Sequence, residues 1–133
     1  MVATGFEAGG HRVSFLRSSE DSLTGTFALI PTVAAKVKIP VIAAGGIANA
    51  KGIAAAMLLG AQAVQIGTAF LACEESNANH LHRQKLFSDE AKYTALTRAF
   101  SGRLARGIRN GFVDEWQTKV SKILPYPVQS WFT

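Results

Sequence analysis

The stretch IPVIAAGGIANAKGIAAAMLLGAQAVQIGTAF, residues 39–70, contains two short apolar runs separated by a helical pattern. The first run, at 39–44, is rich in Ile and Val and is followed by two glycines, which is typical of a strand buried on both faces. The second run, at 63–66, is likewise short and apolar, is followed by Gly67, and predicts another buried strand. Asn49 offers an N-cap to a helix predicted over 50–59. The stretch therefore predicts two parallel strands joined by a helix.

The residues before this stretch extend the same alternation. Residues 1–4 read as the last part of another strand, and 12–25 is a long polar loop. Apolar residues at helical spacing predict a helix over 27–37, in which Pro31 is expected within the first turn. The chain thus alternates strands and helices, and an α/β fold with a parallel sheet follows. The apolar positions at helical spacing are Leu29, Ile30, Val33, Ala34 and Val37 in this stretch, and Ile53, Ala54, Met57 and Leu58 are expected on one side of the next helix.

After residue 70 the sequence is more polar. Helices are predicted over 80–93 and 112–122, with a mixed, glycine-broken stretch at 94–110 between them. This stretch carries Arg103, Arg106 and Arg109, three residues apart. Phosphate or nucleic-acid contact is one interpretation of these arginines, and a surface loop with ion pairs is the one that we favour.

Composition narrows the class of protein. The chain has 133 residues, of which 48% are hydrophobic and 17% charged, as expected of one globular domain. The net charge of +5 is too modest to predict a nucleic-acid or membrane partner. A single cysteine excludes an internal disulfide, and no apolar run of about 18 residues predicts a membrane span. We therefore expect a soluble cytoplasmic protein.

Two strand ends carry glycines one strand–helix–strand unit apart. Gly45 and Gly46 follow the first buried strand, and Gly67 and Thr68 follow the second. Backbone N–H groups at such turns can hold a phosphate, and consecutive strand ends of a (β/α)8 barrel commonly share one. The alternative is that each is merely a tight turn. The pattern is not GxGxxG, so a dinucleotide site is only weakly indicated.

A third motif, EAGGH at 7–11, follows the first predicted strand. Its two adjacent glycines allow the backbone to approach a bulky ligand. His11 would project from the carboxyl end of a strand, where α/β barrels carry catalytic groups, and histidine is suited to proton transfer near neutral pH. The alternative is a glycine turn followed by an ordinary surface histidine. His80 and His82 lie two residues apart and share no helix face, so no metal site is predicted.

Four ordered motifs together resemble one family. GFEAGGH at 5–11, IPVIAAGGIANAKGIAAAMLLGA at 39–61, AVQIGTAF at 63–70 and SGRLARGIRNGF at 101–112 are similar to the nitronate monooxygenases. The resemblance implies an FMN-dependent (β/α)8 barrel that oxidises alkyl nitronates with O2 to a carbonyl compound and nitrite. It implies no nucleic-acid or membrane partner.

The resemblance also implies roles for particular residues. His11 matches the family's active-site histidine beside the flavin ring. The residues that match the family's FMN contacts are Gly9, Gly46, Gln65, Ile66, Gly67 and Thr68. Gly10 and Gly45 are neighbours of these residues and are included in the expected FMN site. Two positions depart from the family pattern: many members have Gln where this chain has Thr4, and Gly where it has Val13.

Length sets the expected extent of the domain. A complete barrel of this kind needs about 250 residues, so residues 1–133 are expected to form a single incomplete FMN-binding TIM-barrel domain, from the end of strand 6 through strand 8 plus C-terminal helices. Two alternatives remain open. One is a flavin-dependent enoyl-acyl-carrier-protein reductase, which shares the EAGGH type of motif, and the other is a barrel fragment without catalysis, because open sheet edges would remain.

Overall fold

The computed structural model describes all residues from 1 to 133, in six strands and four α-helices. Contacts divide the chain into two compact units, which are described separately. The first unit comprises Met1–Ala8 with Leu16–Asn77, and the second comprises Gly9–Phe15 with Ala78–Thr133. None of the helices combines the length and the hydrophobicity of a membrane span. In chain order the elements are β1 (Val2–Thr4), β2 (Gly10–His11), α1 (Thr26–Ala34), β3 (Ile42–Ala44), α2 (Ala50–Leu58), β4 (Ala63–Gln65), α3 (His80–Leu86), β5 (Thr94–Thr97), β6 (Ala105–Ile108) and α4 (Gly111–Gln117).

The first unit is built on a three-stranded parallel sheet in the order β1-β3-β4. Ala3 pairs with Ala43, which in turn pairs with Val64. Helix α1 connects β1 to β3, and α2 connects β3 to β4, so the predicted alternation and the parallel α/β class are confirmed. Asn49 caps α2 as predicted, because its side chain accepts a hydrogen bond from the Gly52 N–H at 2.9 Å.

The interior of the first unit is an apolar cluster between the sheet and its helices. Ile30 and Ala43 are 0% exposed and Val41 is 1% exposed. The predicted apolar spacing is confirmed, since Leu29, Val33 and Ala34 of α1 pack against this cluster, as does Val37 beyond the end of the helix. Burial of such aliphatic side chains is the main favourable term that holds a sheet and helix together.

Two expectations about this unit were wrong in detail, those for Pro31 and for burial of β4. Pro31 is the sixth residue of α1 and not in its first turn. The four apolar residues expected on one side of α2 are exposed, and Leu58 is 89% exposed. The buried residue is Ala56, because small residues let the helix approach the sheet closely. Gln65 and its neighbour Ala63 on β4 are exposed, since no element of this unit covers that face of the edge strand.

The second unit contains an antiparallel sheet in the order β2-β6-β5. The stretch 94–110, expected to be irregular, forms the hairpin of β5 and β6, in which Thr97 pairs with Ala105. Both predicted helices are shorter than expected. Helix α3 ends at Leu86 and is followed by a 3-10 turn at Asp89–Lys92, and α4 ends at Gln117 before a 3-10 turn at Val120–Lys122.

A glutamine and a glycine join the hairpin to the C-terminal segment. Gln129 is 2% exposed, and its amide donates to the Ala99 carbonyl at 2.9 Å and accepts from the Leu124 N–H at 3.0 Å. Gly102 has a φ of +80°, and a Cβ added there would lie 2.2 Å from the Leu124 carbonyl oxygen. Only glycine fits this position, so the hairpin turn packs directly on the backbone of the C-terminal segment.

Candidate functional site

The two glycine-bearing strand ends lie next to each other. Ala44 pairs with Gln65 in parallel register, so the chain leaves β3 and β4 at the same edge of the sheet. Gly45 and Gly46 follow the first of these residues directly, and Gly67 follows the second after Ile66. The structure therefore brings together the two turns that the sequence singled out.

Gly45 and Gly46 are required by the fold itself. Their φ angles are +99° and +69°, which side-chain-bearing residues rarely adopt. A Cβ on Gly45 would lie 3.0 Å from the Gly5 carbonyl oxygen, and one on Gly46 would lie 3.2 Å from Cβ of Glu7. These two glycines let the loop after β1 pack against the end of β3, so their presence alone does not indicate a ligand.

Gly67 differs from this pair. Its φ of −104° is open to any residue, and a Cβ added there would meet no heavy atom within 4 Å. No internal contact of the first unit accounts for a glycine at this position. Gln65 and Thr68 are exposed beside it, whereas the side chain of Ile66 packs against the apolar cluster. Gly67 thus keeps open space at the shared strand edge, as close approach of a ligand to the backbone requires.

Glu7 is a site-neighbouring residue to which the sequence reasoning assigned no role. Its carboxylate accepts hydrogen bonds from the Thr26 N–H at 3.0 and 3.1 Å and from the Thr26 hydroxyl at 3.0 Å. Because the first N–H groups of a helix have no internal acceptor, this carboxylate caps α1 from the preceding loop. The contact joins residues 19 apart in the sequence, a distance at which local patterns do not predict pairing. The only sequence feature that singled out Glu7 was its place in the EAGGH motif.

The three predicted residues Gly9, Gly10 and His11 belong to the second unit. His11 is the last residue of β2, where it pairs with Ala105 of β6. The loop after β1 therefore leads into a short antiparallel strand that ends at the histidine, and the role of His11 in proton transfer stays a prediction. Gly10 has a φ of +80°, and a Cβ there would meet nothing within 4 Å.

His11 is held by a serine that the sequence reasoning missed. Nε2 of His11 lies 2.6 Å from Oγ of Ser101, a residue that is 9% exposed. The imidazole also makes an edge-on contact with the Tyr126 ring, with centroids 5.7 Å apart. The only available signal was the place of Ser101 at the start of the SGRLARG motif.

The hydrogen bonds of Ser101 are compatible with either tautomer of the His11 ring. The hydroxyl lies 3.3 Å from the Arg103 carbonyl oxygen and accepts from the Arg103 N–H at 3.3 Å. When the hydroxyl donates to that carbonyl, it accepts the proton on Nε2 of His11, which leaves Nδ1 as the basic nitrogen. When it donates to Nε2 instead, the ring proton resides on Nδ1. Ser101 therefore orients the imidazole ring. The position of the ring proton depends on whether the Ser101 hydroxyl donates to the Arg103 carbonyl or to His11.

The remaining arginines of the motif have structural partners. Arg106 donates to the Thr94 hydroxyl across the hairpin at 2.8 Å, and Arg109 forms an ion pair with Asp114 at 2.6 Å. Arg106 lies in strand β6, whereas Arg103 and Arg109 lie before and after it, and the expected ion pair is present at Arg109. No group of three or more His, Cys, Asp or Glu side chains is placed to hold a metal ion.

Comparison with known proteins gives a consistent result. A family model described as nitronate monooxygenase matches residues 1–133. Proteins named probable nitronate monooxygenase from Bacillus subtilis and Staphylococcus haemolyticus are each 49% identical to this chain over its whole length. The chain spans 38% of the length of these relatives.

Two solved structures are similar to this chain. A nitroalkane oxidase from Streptomyces ansochromogenes is 42% identical, with a TM-score of 0.85, and the match covers 97% of this chain and 37% of that one. FabK from Thermotoga maritima is 37% identical, with a TM-score of 0.77, covering 98% and 38% respectively.

Proposed function

The chain belongs to the nitronate monooxygenase family, an enzyme family, and from that premise we propose that it is the flavin- and substrate-handling C-terminal part of an FMN-dependent nitronate monooxygenase. The proposed reaction converts an alkyl nitronate and O2 to a carbonyl compound and nitrite. The observation that carries the proposal is the parallel register of Ala44 with Gln65, which places two glycine-bearing strand ends side by side. We propose a cytoplasmic location for the enzyme.

The phosphate of FMN is the group that these strand ends fit. Gly46 and Gly67 are exposed, and the open space at Gly67 admits an anion to within hydrogen-bond distance of the backbone. The exposed Thr68 hydroxyl adds a donor, and the Gln65 amide can bond a heteroatom of the flavin. Ile66 contributes its backbone only, because its side chain packs in the core. Gly45 supports the turn, and Gly9 and Gly10 are the remaining proposed contacts.

His11 is the proposed proton-transfer residue. FMN, when bound, supplies the electron-accepting chemistry for oxidation of the nitronate. The role of the chain is to hold a proton at a defined atom: with Nε2 donating to Ser101, Nδ1 of His11 can accept the α-proton of a neutral nitroalkane, which forms the nitronate that is then oxidised. The ring is exposed, so a small molecule can reach it. That His11 stands beside the flavin stays a prediction of the family resemblance.

The three parallel strands are proposed to be consecutive strands of a (β/α)8 barrel. Strands β1, β3 and β4 would be strands 6 to 8, and residues 1–133 would be one incomplete FMN-binding domain. The exposed face of β4 supports this assignment, because inward-facing side chains of a barrel strand are covered only by the other strands of a closed barrel.

The function is tested with the 133-residue chain and added FMN. Flavin retained after gel filtration is measured first, followed by nitrite release from a neutral nitroalkane and from its preformed nitronate. We expect His11→Gln to lower nitrite release from the neutral nitroalkane by about 100-fold or more, as loss of a general base does, and to leave release from the preformed nitronate largely unchanged. The matched control is His82→Gln on the exposed face of α3, which should leave the rate unchanged. Flavin-loaded chain that releases no nitrite would contradict the proposed activity.

The EAGGH motif and the similarity to FabK favour a second flavoenzyme activity, enoyl-acyl-carrier-protein reduction. NADH oxidation dependent on a crotonyl thioester, without nitrite release from the nitroalkane, would establish it. A third possibility is a chain without catalysis, supported by the position of β1 and β4 as the two edge strands of a three-stranded sheet. A colourless chain that retains no flavin after gel filtration would favour that possibility.

A further inference from the structure

A cavity of about 390 Å³ lies within the second unit, between the hairpin turn and the C-terminal segment. The cavity is largely open to solvent, and Arg98 and Arg103 are the basic residues among those that line its hairpin side. No acidic side chain lines the cavity. The opposite side is apolar, and its side chains include Val120 and Leu124, which are 59% and 41% exposed. The cavity thus offers positive charge on one wall and open apolar surface on the other.

The arginines are held in place by the fold. Nη1 of Arg98 donates to the Gly102 carbonyl at 2.9 Å, and the Arg103 guanidinium lies over the Tyr126 ring, 5.9 Å from its centroid. The close packing of Gly102 on the C-terminal backbone fixes the distance between the two walls. Groups that are already oriented lose less conformational entropy when a ligand binds.

The charge of the second unit favours an anion. This unit carries ten Lys and Arg residues against four Asp and Glu residues, a net charge of +6, whereas the first unit carries four against five. The whole positive excess of the chain therefore resides in the unit that holds the cavity, where it attracts anions. Each of the four acidic side chains already has a basic partner: Lys85–Glu90, Lys92–Asp89, Arg109–Asp114 and Lys119–Glu115.

We propose that this cavity binds a small carboxylate with an aliphatic tail. The planar guanidinium matches a carboxylate through paired N–H donors, and the exposed Val120 and Leu124 side chains cover the tail. The volume is at the lower end of the range for ligand pockets, which suits a short chain. Because Tyr126 both lines the cavity and contacts the His11 ring, the bound ligand lies near the proposed proton-transfer group. The proposal does not depend on flavin binding.

Binding is tested by calorimetric titration of the 133-residue chain with three probes at neutral pH and low salt. Sodium hexanoate should bind saturably, whereas 1-hexanol, which lacks the charge, and inorganic phosphate, which lacks the tail, should each bind about tenfold more weakly or worse. Hexanol that binds as tightly as hexanoate would exclude a role for the arginines. Phosphate that binds as tightly as hexanoate would exclude a role for the apolar wall.

The site is located with charge-matched variants. Arg103→Gln should weaken hexanoate binding by about tenfold, and Arg103→Lys by a smaller factor, because it keeps the charge but loses the planar donors. Lys92→Gln removes the same charge from the same unit outside the cavity and should change the affinity by less than about twofold. Equal losses in Arg103→Gln and Lys92→Gln would show that only net charge matters and would overturn the proposal.

A measurement on the unaltered chain covers the case in which Arg103→Gln fails to fold. Phenylglyoxal modifies accessible arginines, and mass spectrometry reports each site. Hexanoate should slow modification of Arg98 and Arg103 but not of Arg109, which lies outside the cavity. If hexanoate leaves the modification rate of Arg98 and of Arg103 unchanged, or slows Arg109 by the same factor, the proposed site is contradicted.

Discussion

In the first unit the interior is an apolar cluster around Ile30 and Val41, whereas in the second a glutamine, Gln129, lies 2% exposed among backbone groups. The first unit excludes water with side chains that have no polar atoms to satisfy. The second unit also buries apolar side chains, among them Val113 and Leu104, but it adds two hydrogen bonds of the Gln129 amide and a turn that only Gly102 fits. The units also differ in charge, and the more basic one is the one with the more polar interior. We therefore expect the stability of the first unit to tolerate conservative apolar substitutions. The stability of the second unit is expected to depend on the amide atoms of Gln129 and on the absence of a side chain at Gly102.

The largest effect is expected from Gly102→Ala. The added Cβ would lie 2.2 Å from the Leu124 carbonyl oxygen, at a φ of +80°. Overpacking and left-handed strain together should lower the free energy of unfolding by about 2–4 kcal/mol. Urea unfolding followed by tryptophan fluorescence measures the change. The matched control is Gly107→Ala in β6, where a Cβ meets nothing within 4 Å. Equal stability of the two variants would show that the hairpin turn does not pack as described.

A smaller loss is expected from Gln129→Leu. Leucine of similar size would leave the Ala99 carbonyl and the Leu124 N–H without their buried partner. The free energy of unfolding should fall by about 2 kcal/mol, since unsatisfied buried groups cost more than the added apolar surface returns. The exposed Gln117→Leu is the control and should change stability by less than about 0.5 kcal/mol. A Gln129→Leu variant more stable than the parent would show that the second unit needs no polar side chain at this position. The proposed contrast between the interiors of the two units would then be wrong.

Much of the first unit could be predicted from its sequence, because its strands and helices repeat their apolar pattern over enough residues. The inner face of α1 is one example: Ile30, Leu29 and Val33 follow the helical period and pack in the core. The face of α2 could not be predicted, since burial there is decided by closeness of approach, which favours Ala56 over the larger Leu58.

The second unit was harder to predict. Strands of four residues such as β5 place only two side chains on each face, which is too few to establish a period of two. Gly107 within β6 further resembled a break in regular structure. The position of His11 in β2 and its contact with Ser101 depend on pairing across 90 residues of sequence, which local patterns do not encode. The adjacency of the two glycine-bearing strand ends was predictable, because parallel strands joined by one helix end at the same edge.

A modest effect is expected from Glu7→Gln, which tests whether Glu7, a residue next to the candidate site, has the structural role of capping α1. The neutral amide keeps one acceptor for Thr26 but loses the charge at the start of α1. Stability should fall by about 1 kcal/mol, the usual size of a helix cap. Thermal unfolding followed by circular dichroism measures it, with the exposed Glu75→Gln as control. Identical melting of the two variants would show that Glu7 does not cap the helix.

The most direct test of the central claim compares binding of FMN and riboflavin, which differ only in the phosphate, to the parent chain and to Gly67→Ala. Because a Cβ at Gly67 meets no heavy atom, the free energy of unfolding should change by less than about 0.5 kcal/mol. We predict that the parent binds FMN more tightly than riboflavin, and that Gly67→Ala weakens FMN binding by about tenfold while riboflavin binding is unchanged. Equal affinity of the parent for the two flavins, or undiminished FMN binding by Gly67→Ala, would contradict the claim that these strand ends hold a phosphate.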